Sequence, residues 1–263
     1  ASLALQRLGL PKEWIVGKFD CIQRMIYRIC TAYGDSDTTY GGDDIPQGYT
    51  LLPQGLVQGN GSAPQCWSIV SSTIFFALRK LGFSSKFISA LSSATLDLLG
   101  FSYVDDCDLI QIGDLSDSVY VRIQHMLQQW ESLIGVTGGC LAPEKSAWYL
   151  IDYEWKRGKW ICSNPNEDRD LVATTHNGIV VPLKRLRANE AMSMLGMYLS
   201  PDGSNTAQLE YLQNTSSTWS SQIAIHKLNI NEIWTAINST IIPALKYSLC
   251  VMTLSEQDFR KIM

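Results

Sequence analysis

The sequence predicts an α+β fold, and three observations predict it. An apolar run rising from Leu98 stops at Asp105-Asp106 and resumes as Leu109-Ile110-Gln111-Ile112, the pattern of two short strands joined by an acidic turn. Two longer stretches, around Trp67 to Leu81 and Val119 to Ile134, repeat apolar residues at helical spacing. From Thr206 onward the pattern is helical throughout.

Length and composition bound the rest. The 263 residues suit one large domain or two modest ones, and 46% hydrophobic residues suffice for a core. Seven cysteines are scattered singly without a C-x-x-C pair, so neither a zinc site nor a disulfide framework is indicated. The expectation is an intracellular protein, nuclear or cytoplasmic and not secreted, in which the sequons at Asn60, Asn214 and Asn238 are chance matches. The apolar stretches Trp67 to Leu78 and Ile241 to Met252 are too short or too polar for a membrane span. A net charge of -4 is unusual for a chain that tracks phosphates, but Lys156-Arg157-Gly158-Lys159 and the set Lys184, Arg185, Arg187 are locally basic. Each reads equally well as solvated loop charge.

Taken in order, the chain opens on a helix carrying Leu3, Leu5 and Leu8, which breaks at Gly9-Leu10-Pro11. A second helix from Lys12 carries Ile15, Phe19, Ile22, Ile26 and Ile29 as one apolar stripe. Thr31 to Pro53 reads as a loop or weak hairpin, in which Asp43-Asp44 is a solvated turn. Ser62 and Pro64 mark a helix entrance after Gln58-Gly59, and Gly82 ends that helix. Phe87 to Leu91 reads as part of a short helix leading to the acidic hairpin. Gly113-Asp114 breaks the returning strand, and Ser116 or Asp117 caps the next helix.

Gly138-Gly139 then turns the chain toward Lys145 and a strand over Ala147 to Tyr153. Two weak strands surround Trp160 and Ile179, with a polar loop between them. Met194 to Ser200 reads as a strand closed by the Pro201-Asp202-Gly203 turn. Leu209, Leu212, Trp219 and Ile223 line one helix; Ile233, Ile237, Ile241 and Leu245 line another, which Pro243 kinks or restarts. Both ends fall within helical pattern, so the chain is read as a fragment.

Tyr103-Val104-Asp105-Asp106 resembles the Tyr-x-Asp-Asp box of reverse transcriptases. Order and spacing extend the resemblance: Gln58-Gly59 with Pro64 upstream, Gly138-Gly139 with Lys145 downstream, then Leu195-Gly196. Over nearly its whole length the chain is similar to the palm and thumb of a reverse transcriptase of the non-LTR retroelement type. The resemblance implies partial fingers and palm over residues 1–203, an antiparallel sheet with helices on one face. It implies a truncated helical thumb-like region over 204–263.

It further implies that Asp105 and Asp106 hold Mg²⁺, with Mn²⁺ as a substitute, and that Gln58, Gly59, Tyr103 and Val104 shape the nucleotide pocket. Lys145 would stabilise the pyrophosphate or donate a proton to it. Leu195 and Gly196 would contact the primer. The implied partners are an RNA or DNA template with primer and deoxynucleoside triphosphates, with no membrane. The remaining catalytic carboxylate would lie upstream of residue 1, which makes residues 1–263 inactive alone.

Residue by residue, plainer readings stay open. An Asp-Asp pair is commonly a polar turn, a glycine-rich helix start a structural cap, Lys145 an exposed turn lysine and Leu195-Gly196 a structural hairpin. The family often places Ser directly before Pro64, where this chain has Ala63. The alternative function is a non-catalytic polymerase-like remnant or nucleic-acid-binding scaffold. A small-molecule enzyme using the glycine-rich helix start lacks a nucleophile or a strand-Gly-helix repeat.

Overall fold

A computed structural model describes residues 2–31, 34–41, 63–104, 106–114, 116–165 and 169–262. The fold is mixed α and β, built from helices and small two-stranded sheets. It divides into two compact units, residues 1–142 with 173–181, and residues 143–172 with 182–263. The division at 142/143 differs from the expected boundary at 203/204: the C-terminal helices share their unit with strands.

In the first unit, α1 (Ser2–Arg7) and α2 (Lys12–Gln23) form the opening helix pair. The apolar stripe does not continue along α2 as the sequence suggested. The helix closes at Arg24, whose N–H donates to the carbonyls of Asp20 and Ile22. Ile26 and Ile29 belong instead to β1 (Ile26–Thr31), which pairs antiparallel with β2 (Gly34–Gly41). The run Ile-Tyr-Arg-Ile-Cys-Thr is rich in β-branched and aromatic residues, and a partner strand lies close in sequence, so pairing wins over the helical stripe.

Next come α3 (Ala63–Lys80), β3 (Ser85–Ile88), β4 (Thr95–Leu98), β5 (Gly100–Tyr103), β6 (Asp106–Leu109) and α4 (Ser116–Val136). Gly82 ends α3 as expected. At a φ of 83–89°, Gly9 and Gly82 adopt the left-handed turn that a C-terminal glycine permits, and Gly138 does the same after α4. At Gly82 the N–H of Phe83 reaches back to the Leu78 carbonyl, and both side chains are buried in one cluster. Residues 87–91, expected as helix, supply the end of β3 and its loop. β3 pairs antiparallel with β4, and Phe87 faces Leu96 across the pair.

The core of this unit is Ile74, Leu78, Phe83, Leu99, Met126, Trp130 and Ile134, so α3 and α4 pack together over the strand junction at Leu99. Each such side chain contributes about 1.5–3 kcal/mol by leaving water. The ring of Phe75 meets that of Trp130 edge-on at 5.5 Å.

In the second unit a 3₁₀ turn (Pro143–Lys145) leads into β7 (Ala147–Tyr149), and β8 (Asp152–Lys156) and β9 (Lys159–Ser163) form a hairpin. β12 (Lys184–Leu186) lies parallel to β7, whereas β10 (Val172–Thr174) and β11 (Val180–Pro182), which pair with each other, fall mostly in the first unit. β13 (Met192–Met194) and β14 (Met197–Leu199) turn at Leu195-Gly196, between the two strands that the sequence read as one.

The helices of this unit are α5 (Thr206–Ile225), α6 (Ile230–Ala236), α7 (Ile242–Tyr247) and α8 (Glu256–Ile262). A capping box opens α6, with Asn229 accepting from the Asn231 and Glu232 N–H groups. Between α6 and α7 the backbone takes a π turn over Ile237–Ile241, and Pro243 stands in the first turn of α7, the restart that the sequence suggested.

Candidate functional site

Four opposed residue pairs build the acidic hairpin, and their register decides which side chains meet. Tyr103 lies opposite Asp106, and Phe101 opposite Asp108. Directly opposed residues project to one face, and so do residues two apart on one strand. Phe101, Tyr103, Asp106 and Asp108 therefore share the outer face, while Cys107 and Leu109 turn inward and pack on the core. Phe101 and Tyr103 are 59% and 63% exposed and Asp106 is exposed, so the outer face is open to solvent toward the tip, while Asp108 nearer the base is half-buried.

The base of the hairpin is tightly held. The Ile110 N–H donates to the Leu99 carbonyl at 2.9 Å. Ser85 Oγ donates to the Ile110 carbonyl and accepts from the Ile112 N–H, and Gln111 Nε2 reaches the Phe83 carbonyl and the Met126 sulfur. Gly100 is required here by close approach. A Cβ at that position would lie 1.9 Å from the Asp108 carbonyl oxygen.

The tip is two residues long, because the Tyr103-Asp106 pair leaves only Val104 and Asp105 between the strands. Val104 sits at φ 53°, a conformation that costs a β-branched residue roughly 1–2 kcal/mol and that a two-residue hairpin demands. Asp105 lies outside the described residues, as do Gln58, Gly59, Ser62 and the Asp43-Asp44 pair expected as a solvated turn. Strain held by a well-packed base is a feature of functional turns. Leu195 at φ 50°, followed by Gly196 at 78°, repeats it in the β13–β14 turn.

Electrostatics mark one further carboxylate that sequence reasoning passed over. Burial pushes the Asp108 carboxyl above the usual aspartate range, and the nearby Asp106 charge pushes it the same way. The signal was present in the sequence as the i, i+2 spacing from Asp106. Beneath them, burial together with the Asp108 charge pushes the Cys107 thiol up to about 12.

The donor set suits a small hard cation. Mg²⁺ takes one or two carboxylates and keeps waters for its other positions, and the mutual repulsion of Asp106 and Asp108 is what a cation relieves. Among the described residues no three His, Cys, Asp or Glu side chains are placed to hold a metal together. Asp106 and Asp108 thus form a pair of possible ligands.

The remaining sequence candidates lie in the second unit. Lys145 closes the 3₁₀ turn with its side chain exposed. Gly196 borders a cavity with Gln208, Tyr211, Trp219, Tyr247 and Ser248. Gln208 Oε1 accepts the Tyr198 N–H at 2.6 Å, which ties α5 to β14 behind the 195–196 turn.

The basic clusters separate in role. Arg185 lies over the Trp148 ring at 5.2 Å and donates to the Pro165 carbonyl at 2.6 Å, so it is part of the packing. Lys156, Arg157 and Lys159 are exposed at the end of the β8–β9 hairpin.

Comparison with family models, with curated proteins and with solved structures finds no match to the chain.

Proposed function

We propose that the chain belongs to a template-directed nucleotidyltransferase of the reverse transcriptase type, with a palm formed around β5, β6, α3 and α4 and a thumb-like region formed by α5–α8. The carrying observation is the β5–β6 hairpin: packed helices on one face, carboxylates on the other, and a strained two-residue tip between Tyr103 and Asp106.

Asp105 and Asp106 are the proposed Mg²⁺ ligands, and Asp108 supplements them from the same face as Asp106. Bound there, the metal supplies positive charge for the attacking 3′-oxygen and the departing pyrophosphate. Tyr103 offers an exposed ring beside Asp106, a platform for the primer end or the incoming base. The packed base holds β6 in register, so the Asp106 and Asp108 carboxylates keep their shared face without reorganisation during reaction. Lys145 is proposed to neutralise pyrophosphate charge and Leu195-Gly196 to contact the primer; both assignments rest on the resemblance, and the exposure of Lys145 is compatible with its role. Template with primer and deoxynucleoside triphosphates are the proposed partners. None of the described helices is long and apolar enough to cross a membrane.

The test is Mg²⁺-dependent primer extension by the reading frame that carries residues 1–263, beside D105N and D106N. Each substitution should reduce incorporation by at least about a hundredfold, since the lost charge stabilisation amounts to several kcal/mol. Unchanged incorporation in both would refute the assignment. Absence of incorporation in the parent as well would favour the scaffold reading, to which the net charge of -4 lends support. Robust incorporation by residues 1–263 alone would mean that the full carboxylate set lies within them.

A further inference from the structure

The β8–β9 hairpin carries a second surface that the acidic site does not use. Its register sets Trp155 opposite Trp160 and Tyr153 opposite Cys162, so three aromatic rings occupy one face. The two indoles meet edge-to-face at 5.2 Å, yet they remain 59% and 67% exposed. Adjoining large rings left open to water make a contiguous apolar patch of the kind that marks an interaction surface.

The tip is basic. Arg157 and Gly158, at φ 51° and 78°, form the two-residue turn, flanked by the opposed pair Lys156 and Lys159. Between Trp155 and Trp160 there are three cations and no carboxylate. Glu154 lies on the Lys156 side of the hairpin and takes that ammonium in an ion pair, which holds the Glu154 carboxyl below its usual range. No carboxylate pairs with Arg157 or Lys159 among the described residues.

The register puts Lys156 and Lys159 on the face opposite the indoles, one pair from the turn. We propose that this hairpin binds single-stranded nucleic acid, with bases stacked on Trp155 and Trp160 and the backbone phosphates running over the tip, where Arg157 holds them and Lys159 reaches them from the other face. Stacking on an aromatic face tolerates any base, and adjacent cations follow the backbone; this pairing of features is how sequence-indifferent single-strand sites are made. An indole pair alone would staple a hairpin, but stapling gives no reason for three cations at its end. An anionic bilayer is the other polyanion to weigh. The aromatic face carries Tyr and Trp with no long aliphatic side chain to enter the acyl region, and the opposite face carries Asp152 and Glu154, which an anionic surface would repel. In naming a strand that could be the template, the inference rests on the polymerase reading; the binding itself does not.

The experiment is fluorescence anisotropy with the full chain and a fluorescein-labelled oligodeoxythymidylate of about 20 nucleotides, over a salt series and in EDTA without nucleotide. Because no metal is present, failure of the polymerase reading leaves this measurement standing, and the reverse holds for primer extension. Trp160→Ala should weaken binding by about tenfold or more, and Trp160→Phe by much less, since a ring remains. The double variant Arg157→Glu with Lys159→Glu lies at a solvated tip, so it decides the case even if loss of Trp160 opens the hairpin. It should weaken binding and flatten the salt dependence by about 1.4 in log–log slope. No binding by the parent, parental affinity in the charge-reversed variant, or binding of phosphatidylserine vesicles in place of the oligonucleotide would overturn the proposal.

Discussion

Gly100→Ala tests the packing on which the acidic hairpin depends. The added Cβ would lie 1.9 Å from the Asp108 carbonyl oxygen and 3.2 Å from the Leu109 Cα. Both are backbone atoms of the partner strand, so no flexible side chain can yield. To reach even 3.0 Å the strand must retreat by about 1 Å, and overpacking of this kind costs about 1–3 kcal/mol. Retreat also stretches the hydrogen bond from the Ile110 N–H to the Leu99 carbonyl, worth about 1 kcal/mol. Alanine stiffens the unfolded chain and offsets only about 0.4–1 kcal/mol of this. Strain therefore wins, and a net loss of roughly 2 kcal/mol should lower the urea midpoint by about 1 M at a slope near 2 kcal/mol/M.

Gly17→Ala is the matched control. Gly17 lies inside α2 with open space where a Cβ would point. There the same substitution should stabilise by about 0.5–1 kcal/mol, and the midpoint should rise. Hydrogen exchange over residues 95–112 localises the effect: exchange should quicken in Gly100→Ala and stay unchanged in Gly17→Ala. A Gly100→Ala midpoint within about 0.2 M of the parent would refute the argument, because it would mean that β5 and β6 have room to spare.

Three further outcomes follow from the same geometry. Since the Asp108 pKa is raised in the folded protein, its favourable contribution is complete below the ordinary aspartate range and is lost as pH rises through the raised value. Asp108→Asn should therefore be more stable than the parent at neutral pH and lose that advantage in acid, as urea midpoints at pH 4 and 7 will show; Asp106→Asn should reproduce part of the gain. Cys107, with its thiol pushed up to about 12, should resist iodoacetamide in the native protein while the exposed Cys21, Cys140 and Cys250 react, read by mass spectrometry. Gln208→Leu removes the acceptor for the Tyr198 N–H and should cost about 1–3 kcal/mol in thermal or urea unfolding, with no effect if water replaces the amide.

Much of the helical framework was legible in advance. The stripes around Trp67 to Leu81 and Val119 to Ile134 became α3 and α4, and Gly82 closed the first as a left-handed C-terminal glycine must. The acidic turn was legible too, since an apolar run halted by carboxylates has few other forms. Short apolar segments were misread where neighbours decided them. Residues 26–31 fit a helical stripe as well as a strand, and β1 exists because Gly34–Gly41 pairs with it. Residues 85–88 became β3 because β4 folds back on them.

By itself the sequence determined where the long helices α3, α4 and α5 run, where the acidic turn falls and which residues can carry hard-cation or phosphate chemistry, because these depend on local periodicity, turn chemistry and side-chain type. Only the tertiary structure decided that Asp108 joins the face of Asp106, that Arg185 is occupied by Trp148 while Arg157 and Lys159 pair with no carboxylate among the described residues, and that Gly100 admits no side chain. Those outcomes depend on strand register and on the approach of residues distant in the chain, and neither is encoded in the spacing of any one segment.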